Sequence, residues 1–479
     1  MKKIITFTLI IFNTLTIFSQ SSKPLTLQEC INKAIVNNLQ TKQIQYQVQE
    51  SENRTASLRF SQYPNVNGSL SQNFASGRII DPFTNVVVNQ NTNYQNLEIS
   101  SSVVVFEGGT IRNNIRLNEL QVKSTQQELN ANKESIKLKV IEDFFQVLNT
   151  QEQLSITNKL FEKSKFQLNR IQTLVNEGMA ARAVLLDIQA LIAGEELGVA
   201  TAESNLEYSK IVLLQTMNEN KATIELEPKG VIQANAEPYQ YVVSAVVLSA
   251  MKTQSVVDMA KTKVEISDIK IDLAQASNKP SVSANFSLRT NYSSAAPSQL
   301  FVSDGKPSKF VESKSSDFVL TNGQRQNIIR QIEVPSGSFE KLSYTNQLGY
   351  NFSSIVGVNV RVPIFNAYDL KIKIQQANLT KLKAQNELNI TQTQIKNTVE
   401  LAYRNMETAY LKLGLINKQL TALETAFELT KKKFEEGNLS SLEYTLAKNN
   451  VDKVRMGMVQ AKYEYIFRTK VLDFYADRI

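Results

Sequence analysis

The side chains that most often carry out chemistry in proteins are scarce in this sequence. Its 479 residues include no histidine and a single cysteine, so the commonest general base and the commonest metal ligands are largely missing. It contains no G-x-S-x-G motif, phosphate-binding loop or dinucleotide fingerprint. Asp, Glu, Lys and Ser are plentiful, but their spacing forms no catalytic pattern. The sequence therefore predicts no enzyme, no metal site and no cofactor. Its function must be inferred from the helices and strands that the rest of the chain predicts.

The N-terminus predicts export. Two lysines precede an apolar run, Ile4–Phe18, and a plausible cleavage edge follows at Ser19-Gln20. Residues 1–20 are therefore predicted to be a secretory signal peptide. A membrane-anchoring helix is the alternative, but about 15 apolar residues are short for a bilayer, and no later run is long enough to span one.

Cys30 and the net charge of the chain each have a structural and a functional interpretation. Cys30 could be a lipid-anchored N-terminus, but it falls on an apolar helical face with Ala34 four residues later, which favours a buried thiol. The net charge of +8 comes from lysines and arginines interspersed with acidic residues. This pattern is typical of a solvated surface and predicts no nucleic-acid partner.

The chain contains an internal duplication. Phe106 of "VFEGG" and Phe365 of "IFNAY" are 259 residues apart, and so are Gly178 and Gly437, which stand in two similar segments. Two landmarks with one offset indicate a structural repeat. The predicted repeats are residues 21–236 and 237–479.

Between these landmarks an apolar residue recurs every seven positions, with one step of four. In the second repeat only Lys381 interrupts the series. A period of seven is typical of helices packed as in a coiled coil, and neither span contains a proline. A helix of about 65 residues is roughly 100 Å long, which suits a rod or the wall of a tube. The predicted long helices are 110–176 and 368–435, and the predicted return helices are 180–217 and 439–475.

Each long helix is preceded by a shorter helix and two strands. Pro64 and Pro280, which are 216 residues apart, are each predicted to end a helix of about 35 residues and to start a strand. The second repeat carries 43 more residues between its proline and its long helix. We expect these in a long, mobile surface loop. The predicted hairpins are 65–106 and 281–365, and the loop covers about 293–341.

The predicted strands alternate apolar and polar residues, most clearly from Leu348 to Ile364. A half-buried sheet on a soluble core is the ordinary interpretation. Here the helices are predicted to form long rods, so no helix is left to cover the apolar face of the sheet. Strands with an apolar outer face therefore favour an outer-membrane barrel. Four strands cannot close, and open sheet edges are not tolerated in lipid, so copies must combine. Two copies would give eight strands and three would give twelve. The predicted strand–helix junctions are Pro64, Gly108, Gly109, Pro280 and Pro363.

The chain resembles the TolC family of outer-membrane efflux proteins over nearly its whole mature length. The markers, in order, are "LTLQECINKAIVNN", "YPNVNGSL", "VFEGG", "VPIFNAYDLKIKIQQA" and the two "EG" turns, while "SGRIIDPFTN" looks like the form in Bacteroidota members. The resemblance implies a mixed fold of all-α and membrane β parts, with a duplicated helix–strand–strand–long helix–helix repeat. It implies a homotrimer whose twelve-stranded barrel in the cell outer membrane continues into a long helical tunnel in the periplasm.

The resemblance also implies partners and site residues. The partners are outer-membrane lipid, a periplasmic adaptor protein and an inner-membrane RND or ABC pump. The turns that would dock on the adaptor are Gly178, Met179, Gly437, Asn438 and Leu439. Family members ring the pore constriction with acidic residues just after the inner turn. Glu443 matches the first such position, and Asp187 occupies the later position in the first repeat.

The family's gate is only partly present. Leu446 stands where better-known members carry a second aspartate, and Leu439 stands where they carry an arginine that locks the closed state. Symmetric carboxylates around a narrow pore would repel one another and attract cations, so Glu443 is the main constriction candidate. A solvated glutamate on a helix face is the alternative interpretation.

Three functions are compatible with these patterns. The first is the passive outer-membrane duct of a tripartite efflux system. The second is the outer-membrane component of a type I protein secretion system. The third is a trimeric surface stalk without a pore. The sequence names neither the cargo nor the pump family.

Overall fold

The computed structural model describes residues 24–81, 83–220, 223–228 and 237–478. The predicted signal peptide, residues 1–20, lies outside these ranges. The helices are α1 Leu27–Asn37, α2 Leu39–Phe60, α3 Thr110–Asn176, α4 Arg182–Thr216, α5 Val243–Thr253, α6 Ser255–Ala276, α7 Tyr344–Tyr350, α8 Asp369–Glu435 and α9 Ser441–Tyr475. The strands are β1 Asn65–Ala75, β2 Arg78–Ile80, β3 Val87–Asn89, β4 Thr92–Glu107, β5 Ser281–Ser293, β6 Gln299–Ser303, β7 Lys309–Thr321, β8 Gln324–Val334, β9 Gly337–Lys341 and β10 Ser353–Arg361.

The described chain forms two compact units, and each takes residues from both halves of the sequence. One unit comprises residues up to 53, 118–268 and from 378 onward, and is helical. The other comprises residues 54–117 and 269–377 and contains the strands. The predicted fold class, long helices combined with a sheet in a duplicated order of elements, is confirmed.

The helices that precede the strands differ from the prediction. Each predicted helix of about 35 residues is interrupted once, at Asn38 in the first repeat and at Gln254 in the second, where the backbone is extended. The two breaks are 216 residues apart, the same spacing as the prolines that follow them. Each new helix start has its own cap. Asn38 Oδ1 accepts a hydrogen bond of 2.8 Å from the backbone N–H of Thr41, and the carboxylate of Glu134 accepts from Ser255.

The heptad positions form the core of the helical unit. Val140, Val147 and Val399 are almost completely buried, as the seven-residue pattern predicted. Lys381, the interruption in that pattern, forms an ion pair of 2.7 Å with Asp268.

Cys30 lies in the same unit and is fully buried within its core. Burial raises the pKa of its thiol to about 12, so the thiol is uncharged at neutral pH. The interpretation of Cys30 as a buried thiol is confirmed.

The strand unit is built on one antiparallel four-stranded sheet in the order β1-β4-β5-β10. Strands β4 and β5 pair in its centre and join the two repeats. Strands β1 and β10 each pair on one side only within the described residues. The sheet is therefore open at both edges, as the four-strand argument required.

Residues 293–341, predicted as a long, mobile surface loop, contain four strands. Strand β6 pairs with β9, and β7 pairs with β8 in a second hairpin between them. The predicted strand from Leu348 to Ile364 is also shorter than expected. Its first residues belong to α7, which is capped by the Ser343 side chain, and β10 begins only at Ser353.

The strand–helix junctions show the duplication at the level of single backbone angles. Gly108 and Gly109 have φ values of 60° and 94°, and the residues 259 positions later, Ala367 and Tyr368, have φ values of 51° and 63°. These left-handed conformations are easy for glycine and costly for other residues. The second repeat therefore keeps the turn of the first without its glycines.

Candidate functional site

The turns that end the two long helices are the candidate functional site, and they share one geometry. Gly178 N–H donates to the carbonyl of Val175 at 3.1 Å, and Met179 N–H donates to the carbonyl of Leu174 at 2.8 Å. Gly178 has a φ of 74°. This is a Schellman motif, in which a glycine in the left-handed region closes the helix. The same two bonds recur after α8, around Gly437 with a φ of 75°.

The helix starts after these turns differ between the repeats. In the second repeat Ser440 caps α9 and Glu443 completes a capping box. Glu443 Oε2 accepts hydrogen bonds from the N–H and hydroxyl of Ser440 at 3.2 and 2.8 Å. These bonds hold the pKa of the exposed Glu443 carboxyl below its usual range. In the first repeat the equivalent cap position is Ala181, whose methyl group cannot accept a hydrogen bond.

The second constriction candidate, Asp187, lies against the start of α9. Its carboxylate accepts a hydrogen bond from the hydroxyl of Ser441. Ser441 adjoins the cap residue Ser440, whose partner is Glu443. The structure therefore brings both candidate carboxylates to the same turn of α9. Whether they line a constriction in an assembly remains a prediction.

The surface around the turns is partly apolar. Met179, Leu186, Leu442 and Leu446 are each more than half exposed. Leu442 and Leu446 lie four residues apart and so share one face of α9. The predicted tip residue Asn438 is exposed and Leu439 is half-buried. Exposed apolar residues grouped in this way are typical of surfaces that contact another protein.

Aromatic side chains pack beside the turn that follows α8. Tyr444 is buried, and its ring stacks on that of Phe434 with centroids 4.5 Å apart. The ring of Phe427 also packs on the Tyr444 ring, with centroids 5.6 Å apart. Burial raises the pKa of Tyr444, so its phenol stays neutral. Arg170 on α3 also pairs with Glu435 on α8 at 2.9 Å.

An ion network around the buried Lys448 lies one helical turn further along α9, and the sequence did not predict it. Lys448 Nζ contacts the carboxylates of Glu195 and Asp452, the latter at 2.9 Å. Arg455 joins the network at Asp452 and at Glu424. Lys448 is only 8% exposed, and the network borders a cavity of about 860 Å³.

Electrostatics keeps Lys448 charged in this setting. Burial alone lowers the pKa of a lysine, but the two carboxylates outweigh it, so the pKa of Lys448 is raised. Two local pairs of the network are visible in sequence, Lys448 with Asp452 and Asp452 with Arg455. Glu195 is 253 residues away from Lys448 along the chain, so no local pattern predicts that contact.

The described residues include no group of three or more His, Cys, Asp and Glu side chains arranged to hold a metal ion. Nor does any helix within them combine the length and the apolar content that crossing a bilayer requires.

Comparisons with known proteins identify the family. A family model described as outer membrane efflux protein matches residues 30–219 and 336–472. No curated protein sequence matches the chain significantly.

Several solved structures share the fold. CusC, which forms a transmembrane channel, has a TM-score of 0.70 at 14% identity, with 94% of this chain and 91% of CusC covered. The outer membrane protein VceC of Vibrio cholerae has a TM-score of 0.68 at 9% identity, covering 94% and 95%. The Campylobacter jejuni outer membrane channel CmeC has a TM-score of 0.66 at 15% identity, covering 99% and 93%.

At such low identities the structural matches show the fold alone. The family model, however, covers well over half of the chain and extends into both repeats. The resemblance to TolC-like channels is confirmed. The closer resemblance to Bacteroidota members stays a prediction. The chain belongs to the outer membrane efflux protein family.

Proposed function

We propose that this chain is the outer-membrane channel of a tripartite efflux system. In this proposal three copies form a closed twelve-stranded barrel in the cell outer membrane and a helical tunnel in the periplasm. The channel is a passive duct that catalyses nothing. A periplasmic adaptor docks on its tips, and an inner-membrane RND or ABC pump supplies the energy.

The observation that carries the proposal is the open four-stranded sheet. Its edge strands, β1 and β10, leave backbone hydrogen-bonding groups without a strand partner on one side within the described chain. Val356, Val358 and Val360 on β10 are all more than 60% exposed. An edge with such side chains would aggregate in water and is intolerable in lipid unless another strand pairs with it. Pairing β10 of one copy with β1 of the next removes both problems.

The helix turns support the rest of the proposal. Two similar turns that expose methionine and leucine side chains suit docking on another protein. Glu443 lies in the first turn of α9 and Asp187 of α4 contacts that same turn, so in a trimer they would supply up to six carboxylates at one level. We propose that this level is the constriction and that it favours cations.

The experiment compares a strain that lacks the gene with its parent and with a complemented strain. Growth is measured against drugs, detergents, dyes and transition metals, and the proteins in the medium are compared. The proposal predicts sensitisation to one chemical class with unchanged secreted proteins. Loss of a secreted protein without sensitisation would instead indicate a type I secretion system. No change in either would favour a stalk without a pore.

A further inference from the structure

The hairpin formed by β7 and β8 has no role in the channel as proposed so far. Each of its strands pairs only with the other in the part of the chain that the structure describes. Every residue of β8 and nearly every residue of β7 is exposed. The hairpin also lies outside the residues matched by the family model. An isolated two-stranded hairpin is marginally stable in water, so this one needs a partner.

The strand register assigns its side chains to two faces, because neighbouring residues of a strand point to opposite sides. Val311 pairs with Ile332 and Val319 with Gln326 on one side, which we name the aliphatic face. The apolar residues of the aliphatic face are Val311, Val319, Ile328, Ile332 and Val334. The opposite side, the charged face, contains Phe310, Glu312, Lys314, Phe318, Leu320, Arg325, Ile329 and Glu333.

The two faces differ in the placement of their charged side chains. On the charged face four ionisable side chains separate the apolar ones, and the Arg325 guanidinium lies 4.4 Å from the centre of the Phe318 ring. That face can meet water. The aliphatic face carries Lys309 at its end and the ion pair of Arg330 with Asp317, whose charged groups lie 2.6 Å apart and offset each other. The aliphatic face is therefore the one that needs cover.

The charge of the hairpin argues for a second copy as that cover. Residues 309–334 include four basic and three acidic side chains, so neither a polyanion nor a polycation is favoured, and identical hairpins would not strongly repel one another. The hairpin also grows from the connection between β5 and β10. Since β10 is the open edge that meets the next copy in the proposed trimer, all three hairpins would emerge at one end around one axis.

We propose that the three β7–β8 hairpins of a trimer pack together through their aliphatic faces and form a cap over the outer mouth of the channel. The inference rests on the proposed trimer. It adds an interaction surface that narrows the mouth independently of the constriction at the helix turns.

The test uses single cysteines on opposite faces of β8 in a Cys30→Ala background. Ile332→Cys reports on the aliphatic face, and Ile329→Cys, at a matched residue of similar exposure, reports on the charged face. The purified full chain is oxidised with copper phenanthroline in detergent and examined without reductant. We expect covalent dimers from Ile332→Cys and monomers from Ile329→Cys. In the trimer, maleimide should label Ile332→Cys at least ten-fold more slowly than Ile329→Cys.

Native mass in detergent separates the possible failures. A monomer would contradict the proposed function and this inference together. A trimer in which both cysteines react equally fast and neither crosslinks would overturn the cap alone. Val311→Cys, the register partner of Ile332, serves as a second reporter if Ile332→Cys does not fold. It should behave as Ile332→Cys does, and equal labelling of Val311→Cys and Ile329→Cys would also contradict the cap.

Discussion

The hydroxyl of Ser441 donates a hydrogen bond to the carboxylate of Asp187, which ties the start of α9 to the return helix of the other repeat. The neighbouring Ser440 is bonded to Glu443 in a capping box. The carboxylates predicted to attract cations therefore also hold helix ends in place. Variants at this turn must separate the effect of charge from the effect of capping.

Glu443→Gln separates these effects, because glutamine also completes a capping box. We expect it to weaken block of the channel by multivalent cations several-fold while α9 keeps its first turn. Ser440→Ala is the matched control. It keeps the charge and removes the cap, at a cost of about 1 kcal/mol in stability. Single-channel recording with and without the blocking cation measures the effect. Unchanged block in Glu443→Gln would remove Glu443 from the constriction.

The pH dependence of that block follows from the lowered pKa of Glu443. A carboxyl whose pKa is lowered on folding stabilises the folded state above its ordinary pKa, and this stabilisation is lost as the pH falls through the folded value. Cation block should therefore weaken as the pH falls, with a midpoint that the bonds from Ser440 lower and that the neighbouring carboxylates of the proposed trimer raise. Block by the Glu443→Gln channel should not show this dependence. Block that does not change with pH in the parent channel would contradict the assignment.

The buried network at Lys448 should matter for stability. Lys448→Met leaves the largely buried Glu195 without its cation and leaves Asp452 with Arg455 alone, which costs about 3 kcal/mol. Lys165→Met removes an exposed ion pair with Glu162 and should cost less than about 1 kcal/mol. Denaturant unfolding followed by circular dichroism measures both variants.

The second substitution Glu195→Gln should recover part of the loss in the Lys448→Met background. Because the pKa of Lys448 is raised, its contribution is complete below the ordinary lysine pKa and is lost only as the pH rises through the folded value. Equal costs for Lys448→Met and Lys165→Met would show that the network is not buried in the assembled protein.

Substitutions at the two junctions should have opposite signs. A Cβ at Gly108 would lie 2.6 Å from the carbonyl oxygen of Ala276 and 2.6 Å from Lys279 Cβ. Together with the left-handed backbone, this makes Gly108→Ala destabilising by about 2 kcal/mol or more. Ala367→Gly relieves the same backbone strain and should stabilise by up to about 1 kcal/mol. Thermal unfolding of the two variants checks both signs, and destabilisation by Ala367→Gly would refute the strain at that junction.

The sequence predicted those parts of the fold that depend on long periodic patterns. The ends of α3 and α8 came within a residue or so of the prediction, since the heptads and the turn glycines are local features. The break at Gln254 could not be predicted, because its cap is Glu134, 121 residues away. The β7–β8 hairpin was missed although Asn322-Gly323, both with positive φ, is a strong local signature of a hairpin turn. Apolar residues on both faces of its strands obscured the alternation.

The positions of the two helix turns were predicted, but the contacts around them were not. The two glycines marked the turns, and the resemblance to the family pointed to Glu443, six residues after Gly437. The bond from Ser441 to Asp187 joins residues 254 positions apart, so packing alone creates it. The ion pair of Lys448 with Glu195 has the same origin. Such contacts depend on the relative rotation of neighbouring helices, which a seven-residue pattern leaves undetermined.

The most direct test of the central claim is electrical recording from the purified full chain in a planar lipid bilayer, after native mass in detergent has been measured. We expect the mass of three chains and discrete conductance steps that multivalent cations reduce. A trimer that inserts into the bilayer and passes no current, both as purified and with the Glu443→Gln substitution, would contradict the claim that this protein is a channel.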